Sequence, residues 1–116
     1  MKQSLMSKND LRKKSEIAVQ NGFHRNVHDN VRFTDCYDKK PAGTIHDIMK
    51  LYDPDDDSIR LSFSYHVGDG FHTEYLYKQE DICEVNELLE MGKKVYEEKV
   101  SKIVFSRQPD WIDWGG

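Results

Sequence analysis

The chain has few cysteines, no long apolar run and no excess of basic residues, and each scarcity excludes a class of protein. Two of its 116 residues are cysteines, Cys36 and Cys83, and they form neither a CxxC pair nor a disulfide framework. We therefore expect free thiols in a reducing compartment and a cytoplasmic location. Residues 1–14 lack the apolar stretch of a secretory signal. No apolar run approaches the roughly 20 residues of a transmembrane helix, so we expect no membrane partner.

The charge of the chain indicates the kind of partner. Its formal net charge is −4 and its isoelectric point is about 5.7. The basic doublets at 13–14, 39–40 and 93–94 are scattered among acids and form no basic stripe. Because nucleic-acid binding depends on a basic surface, we do not expect a nucleic-acid partner. An acidic chain suits a basic protein partner instead.

Sequence signatures of catalysis are also missing. The chain has no GxSxG nucleophile motif and no Walker phosphate loop, and the pair Gly68 and Gly70 is typical of a hairpin. His24 and His28 have the spacing of a zinc-protease motif, but Arg25 stands where that motif needs Glu. We therefore assign no catalytic residue and expect a protein that is not an enzyme.

The remaining composition is that of one folded domain. A third of the residues are charged and 37% are hydrophobic, and the apolar residues recur at regular spacing. We expect a single α+β domain over residues 1–116, with residues 1–6 and 107–116 as candidate flexible tails.

Hydrophobic periodicity predicts a short N-terminal helix, a meander of three to four antiparallel strands and a long C-terminal helix. Ser7 and Asp10 have capping-box spacing, and Gly22 is placed to end the first helix. The region 24–30 is polar and is expected to be irregular. The predicted strands are 31–37, 44–52, 59–67, 71–78 and 102–106, with a turn at 53–58 and the long helix at 79–100.

The register of the hairpin after residue 67 is predicted from its apolar face. A three-residue loop, 68–70, keeps one face apolar, with Gly70 in the left-handed conformation that such a loop needs. That face is expected to pack on the helix around Leu88 and Leu89, with Gly92 allowing a close approach. Its expected members are Leu61, Phe63, Tyr65, Val67, Phe71, Tyr75 and Tyr77.

This register has a chemical consequence on the polar face. It places His66 opposite His72, with Glu74 diagonal to His66. Two imidazoles and a carboxylate are the ligands of a divalent transition-metal site with open positions. The alternative is a solvated sheet face with no metal.

The turn between the second and third expected strands is strongly acidic. Its spacing resembles the start of a calcium loop, but serines occupy the sixth and twelfth positions, where Gly and Glu are required. We expect instead a negative tip that binds a basic partner. Its members are Asp53, Asp55, Asp56 and Asp57.

Two tryptophans lie near the end of the chain. Trp111 and Trp114 belong to the residue type that is enriched at interface hot spots, and large aromatics are costly to leave exposed. They are candidate partner-binding residues. The alternative is that this segment folds back and completes the core.

Three functions follow from these features. The first is a non-catalytic accessory or inhibitor protein that binds a macromolecular protein partner, similar in general make-up to small acidic immunity or phage counter-defence proteins. The second is a metal-binding protein or small metal-dependent enzyme that uses His66, His72 and Glu74. The third is an oligomeric protein that binds an anion or nucleotide through Arg60 and Lys78, and a homo-oligomer stays open in each case.

Overall fold

A computed structural model of the chain describes residues 2–68, 70–77 and 80–103. These residues form a helix, a four-stranded antiparallel sheet in the order β1-β2-β3-β4, and a second helix, which confirms the predicted α+β meander. No helix in the described part of the chain is long and apolar enough to cross a membrane. The elements are α1 (Lys8–Gln20), β1 (Val27–Arg32), β2 (Ile45–Asp53), β3 (Ser58–Val67), β4 (Gly70–Tyr77) and α2 (Val85–Val95), which continues into a π-helical turn (Tyr96–Val100).

Helix α1 begins and ends where its local sequence predicts. The Ser7 side chain accepts a hydrogen bond of 3.1 Å from the backbone N–H of Asp10, which satisfies one of the free donors of the first turn. Gly22 follows the helix with a positive φ of 78°. Leu11 is buried against Tyr52 and Ile59, so α1 covers the end of the sheet beside the acidic turn.

Strand β1 starts four residues earlier than predicted. The polar stretch before Val31, expected to be irregular, forms the strand and pairs with β2 from Val27 to Arg32. The side chains of Val27 and Val31 face the helices. Some of the polar side chains between them lie on the other face of the sheet. The chain bends after Phe33, whose backbone N–H still donates to the carbonyl of His46 at 2.8 Å.

The β3–β4 hairpin has a different register from the predicted one. Val67 pairs with Gly70, so the loop is the two residues 68–69 and the predicted three-residue loop is wrong. The left-handed residue is Gly68, with φ of 61°, and Gly70 has no positive φ. A two-residue hairpin favours glycine at such a position. Because side chains alternate along a strand, this shift of one residue moves every β4 side chain to the opposite face.

The sheet therefore has two faces of different character. On the face that packs on both helices, here called the helix face, Tyr65 lies opposite His72 and Phe63 lies opposite Glu74. The other face is called the open face. Its paired residues on β3 and β4 are His66 with Phe71, Ser64 with Thr73, Ser62 with Tyr75, and Arg60 with Tyr77. The expected apolar face is thus correct for the β3 residues 61, 63 and 65 but wrong for Phe71, Tyr75 and Tyr77.

Helix α2 lies close on the helix face because Gly92 has no side chain. A Cβ atom at Gly92 would lie 2.7 Å from Cδ1 of Ile45 and 2.9 Å from Cδ1 of Phe63. The hydroxyl of Tyr65 donates to the Gly92 carbonyl at 2.7 Å. The expected close approach of helix and sheet is confirmed. Leu88, Phe63 and Leu61 are fully buried in the core that results.

The segment before α2 is extended, so the helix is shorter than the predicted range 79–100. Leu5 donates its backbone N–H to the carbonyl of Cys83 at 2.8 Å, and Val85 donates to that of Gln3 at 2.9 Å. Leu5 is only 3% exposed and belongs to the core cluster. Residues 101–103 are helical rather than the start of a strand, and the rest of the predicted strand 102–106 lies outside the described residues.

Candidate functional site on the open face

Three large aromatic side chains stand exposed along β4. Phe71, Tyr75 and Tyr77, here called the aromatic row, are 57%, 44% and 62% exposed. They share the open face because even numbers of positions separate them along one strand, so their side chains point the same way. The guanidinium carbon of Arg60 lies 5.3 Å from the ring centroid of Tyr77, in cation–π geometry. The row therefore presents apolar rings, with two phenol hydroxyls and a cation at one end.

Small hydroxyl residues form the floor beside the aromatic row. Ser62 and Ser64 lie on the open face of β3, yet both are buried. In the register, Ser62 lies between Met49 of β2 and Tyr75 of β4. The hydroxyls of Ser64 and Thr73 are 2.9 Å apart. Short side chains thus lie between longer ones along the centre of this face.

Two histidines lie at one end of this row of short side chains. A β-bulge between Ile45 and Asp47 coincides with His46, whose ring lies 5.1 Å from that of His66 and 5.5 Å from that of Phe71, both in edge-on geometry. Nε2 of His66 is 2.8 Å from the hydroxyl of Thr34. Both imidazoles are buried; His46 contacts the ring of Phe71, and His66 is its cross-strand partner.

The environment of His46 disfavours the charged form of its imidazole. Burial, and then the neighbouring His66, lower the pKa of His46 below its usual value. Its Nδ1 atom is buried and has no hydrogen-bond partner in the described residues. Hydrophobic alternation does not predict this pair of histidines, because it does not reveal a β-bulge. His46 contacts Phe71, which is nevertheless 57% exposed.

The predicted metal site is not assembled. The observed register places His66 on the open face and His72 on the helix face, so the two imidazoles do not face each other. Nε2 of His72 lies 2.9 Å from Oε2 of Glu74, and this is the one contact among the three predicted ligands. Within residues 2–68, 70–77 and 80–103, no group of three His, Cys, Asp or Glu side chains is arranged to hold a metal ion.

In the acidic turn, Asp57 faces α1 and is paired within the chain. Nε and Nη2 of Arg12 donate to its two carboxylate oxygens at 2.9 Å and 2.8 Å, and the Tyr52 hydroxyl donates to it as well. The hydrogen bonds from Arg12, and next from Tyr52, hold the pKa of Asp57 well below its usual range. Its φ of 55° is a left-handed conformation that Asp tolerates better than most residues. Asp57 thus ties α1 to the β2–β3 turn.

The other three aspartates of the turn differ in their partners. Asp55 forms an ion pair with Arg25. Asp53 accepts the backbone N–H of Asp55 at 2.9 Å, and Asp56 accepts the hydroxyl of Ser58 at 2.5 Å. In the described part of the chain no cation pairs with Asp53 or Asp56, so these two carry the outward negative charge of the tip.

The acidic tip and the aromatic row meet at a small hollow. Its volume is about 230 Å³. Asp53 and Asp56 line it on one side, and Arg60 and Tyr77 line it on the other, with Leu51, Ser58 and Ile59 completing the wall. The predicted partner-binding carboxylates are thereby continuous with the open face.

A buried lysine on the helix face was missed at the level of sequence. The Lys50 side chain is fully buried, and its ammonium donates to Asp81 and, at 3.2 Å, to the carbonyl of Ile82. The signal was available, because Lys50 lies between Ile48 and Tyr52 at positions that point inward. This contact holds the extended segment before α2 on the sheet, so its role is structural.

The predicted partner-binding residues Trp111 and Trp114 lie outside the described residues. Comparison of the chain with protein-family models, curated proteins and solved structures found no match. The function is therefore inferred from the chemistry of the open face and the acidic tip alone.

Proposed function

We propose that this chain is a non-catalytic protein-binding protein, of the accessory or inhibitor kind, that docks a protein partner on its open face. The observation that carries this proposal is the aromatic row: three large rings, 44–62% exposed, on a face that neither helix covers in the described part of the chain. Aromatic residues and arginine dominate the binding energy of protein interfaces. Contiguous exposed apolar surface on a small domain is typical of an interaction site.

The chemistry of the surface specifies the partner. Phe71 offers an apolar ring, while Tyr75 and Tyr77 combine an apolar ring with a hydroxyl that hydrogen-bonds at the rim of an interface. Asp53 and Asp56 lie next to Tyr77 and favour a cation. The complementary surface is an apolar patch bordered by at least one Lys or Arg.

The test compares two tyrosines on the open face with one elsewhere. Tyr37 is 91% exposed in the connection between β1 and β2, so Tyr37→Ala removes the same side chain outside the proposed surface. The wild-type protein and the two variants, Tyr37→Ala and Tyr75→Ala/Tyr77→Ala, are immobilised and used to recover partners from a lysate of cells that express the protein. We expect a stoichiometric partner with the wild type and with Tyr37→Ala, and its loss with the double variant.

The affinity measurement then excludes an indirect effect. Since all three tyrosines are exposed, both variants should unfold within a few degrees of the wild type, because surface substitutions change stability by about 0.5 kcal/mol or less. Against the recovered partner, the double variant should bind at least about tenfold more weakly, as expected for the loss of hot-spot side chains. Equal affinity for the wild type and the Tyr75→Ala/Tyr77→Ala variant would contradict the proposal.

The contact of His72 with Glu74 is the one observation that favours the metal-binding alternative, since two of the three predicted ligands are adjacent. The test is the melting temperature with and without zinc, for the wild type and for His66→Ala/His72→Ala. A zinc-dependent rise in the wild type that is lost in the variant would support a metal site. No rise in the wild type would exclude a zinc site in this protein.

The acidic lining of the hollow beside Arg60 works against the anion-binding alternative. Asp53 and Asp56 lie on its wall, and Arg60 is already stacked over Tyr77. Like charge next to a site raises the cost of binding an anion there. Native mass spectrometry of protein purified without a chelator distinguishes the cases, since a retained nucleotide or metal appears as a mass adduct.

A further inference from the structure

The two edge strands of the sheet differ in how their outward backbone groups are covered. On the β1 edge, lysines cover backbone carbonyls: Lys14 of α1 donates to the carbonyl of His28 at 2.9 Å, and Lys2 lies 3.5 Å from that of Asn30. On the β4 edge, no such contact is made to Phe71, Thr73 or Tyr75 by the described residues. Strand β4 also contains no lysine, no proline and no bulge, which are the usual protections of an edge strand.

The unprotected backbone groups of β4 can be identified from the pairing of β3. The backbone N–H of His66 donates to Thr44 and its carbonyl accepts from Gly43, both at 2.8 Å, so His66 points its backbone away from β4. Backbone direction alternates along a strand, so Val67 and Tyr65 point toward β4. Their partners Gly70 and His72 point back toward β3. Phe71, Thr73 and Tyr75 therefore direct their N–H and C=O groups outward.

The residues around Thr73 can form complementary cross-strand pairs with a second, antiparallel copy of themselves. Reading outward from Thr73, the neighbours are His72 and Glu74, and beyond them are the aromatics Phe71 and Tyr75. An antiparallel copy centred on Thr73 places His72 opposite Glu74 of the second copy and Phe71 opposite Tyr75 of the second copy. Each of these pairs occurs twice, because the two-fold axis repeats it.

We infer that two copies of this chain associate through β4, antiparallel and centred on Thr73, to form one continuous eight-stranded sheet. In this register the outward-pointing residues of the two copies lie opposite each other, as ladder hydrogen bonds require. The outward backbone groups of Phe71, Thr73 and Tyr75, which no described residue pairs, are then satisfied in both copies, and the aromatic and His72–Glu74 cross-strand pairs stabilise the contact.

Neighbouring registers are less favourable. Sliding one copy by two residues in one direction places Glu74 opposite Glu74, and sliding it in the other places His72 opposite His72. Two carboxylates directly opposite each other are destabilising, and the slide in the other direction loses both His72–Glu74 pairs. A slide of one residue pairs outward-pointing with inward-pointing backbone groups and breaks the ladder. The side chains of residues 71–75 thus favour a second copy in a single register.

The dimer joins two open faces side by side and extends the proposed binding surface without being required for it. Tyr77 lies outside the five self-pairing residues, so Tyr77→Ala tests partner binding and leaves the dimer intact. A monomeric wild type that still binds a partner through Tyr77 would reject the dimer and keep the proposed function.

The first experiment is light scattering coupled to size-exclusion chromatography on the full chain, from low to high micromolar concentration. The expected mass is twice the 13.7 kDa of one chain. Two variants at the centre of the pairing follow. Thr73→Pro removes an outward N–H that takes no part in pairing with β3, and proline is tolerated on an edge strand. Thr73→Val keeps that N–H and loses the same hydroxyl contact with Ser64, so it is the matched control.

We expect the dimerisation Kd to rise at least about tenfold in Thr73→Pro and to change little in Thr73→Val, because a hydrogen-bond donor at the axis is lost from each copy. Circular dichroism shows whether Thr73→Pro is folded. A wild type that is monomeric throughout, or a folded Thr73→Pro that dimerises as well as Thr73→Val, would overturn the inference.

A mixing experiment tests the register and does not depend on proline. His72→Glu places Glu opposite Glu74 of the second copy, and Glu74→Lys places Lys opposite His72 of the second copy. Each variant alone should dimerise more weakly than the wild type. An equimolar mixture places Glu opposite Lys, so we expect heterodimers with at least about tenfold tighter Kd than either variant alone. A mixture no tighter than the separate variants would overturn the register.

Discussion

The sharpest prediction about stability concerns the ion pair between Lys50 and Asp81. Its partners are unequally placed, because the Lys50 side chain is fully buried while that of Asp81 is 41% exposed. Asp81→Asn removes the charge but keeps an oxygen that can accept the backbone N–H of Lys8, which Asp81 now binds at 3.1 Å. The substitution therefore leaves a buried ammonium whose remaining partners among the described residues are the carbonyl of Ile82 and the sulfur of Cys83.

The expected cost follows from the position of each charge. Removing one partner of a fully buried pair costs about 3–5 kcal/mol. Because water reaches Asp81, we reduce this to about 2 kcal/mol for Asp81→Asn. Lys50→Met removes the buried charge and leaves a carboxylate that water can solvate, so its cost should be at most about 1 kcal/mol. The essential prediction is that Asp81→Asn lowers the free energy of unfolding more than Lys50→Met does.

Urea unfolding at neutral pH measures both variants, with Glu90→Gln as the control. Glu90 forms an exposed i,i+3 pair with Lys93, and its loss should change the free energy of unfolding by less than about 0.5 kcal/mol. If Lys50→Met proved as destabilising as Asp81→Asn, or if Asp81→Asn matched Glu90→Gln, the assigned role of the buried lysine would be refuted.

The same pair predicts an acid dependence of stability. Burial alone would raise the pKa of Asp81, but the hydrogen bond from Lys50 and the backbone N–H of Lys8 lower it below its usual value. A folded-state pKa below the unfolded one stabilises the protein above the unfolded value of about 4, and this contribution is lost as the pH falls through the folded value. The free energy of unfolding should therefore fall more steeply from about pH 5 to about pH 2 in the wild type than in Asp81→Asn. Parallel pH profiles would contradict this.

Two further predictions concern the helix packing and the end of the chain. Gly92→Ala should lower the melting temperature, because overpacking against Phe63 costs about 1–3 kcal/mol and exceeds the gain of about 1 kcal/mol in helix propensity; a higher melting temperature would contradict the close packing of α2. Deleting residues 107–116, which removes Trp111 and Trp114, should weaken partner binding with little change in melting temperature. A large fall in melting temperature would show that these residues complete the core.

Much of the fold could be predicted because local signals agreed with the tertiary structure. The Ser7 cap, the apolar composition of β2, the alternation in β3 and the turn at 53–58 each specify their element locally. The start of β1 was missed because its inward-facing residues include Asp29, which hydrogen-bonds to Lys2 and Met6. A charged residue at an inward position weakens apolar alternation even where a partner elsewhere in the chain makes it favourable.

The open face could not be predicted, because its position depends on one residue of register. The three-residue loop predicts that Phe71, Tyr75 and Tyr77 belong to the core, and burial of aromatics is the usual outcome. The turn at Gly68 instead gives a register that places them on the open face. The fold leaves these three aromatic side chains exposed, and the proposed binding surface gives a reason for their exposure.

The most direct test of this account is an NMR measurement of contacts between backbone Hα protons across β3 and β4. Residues of a non-hydrogen-bonded antiparallel pair have close Cα atoms and give strong Hα–Hα contacts. The observed register predicts such contacts between Ser64 and Thr73 and between His66 and Phe71. Hα–Hα contacts between His66 and His72 and between Ser64 and Glu74 would contradict it, and would return the aromatic row to the helix face.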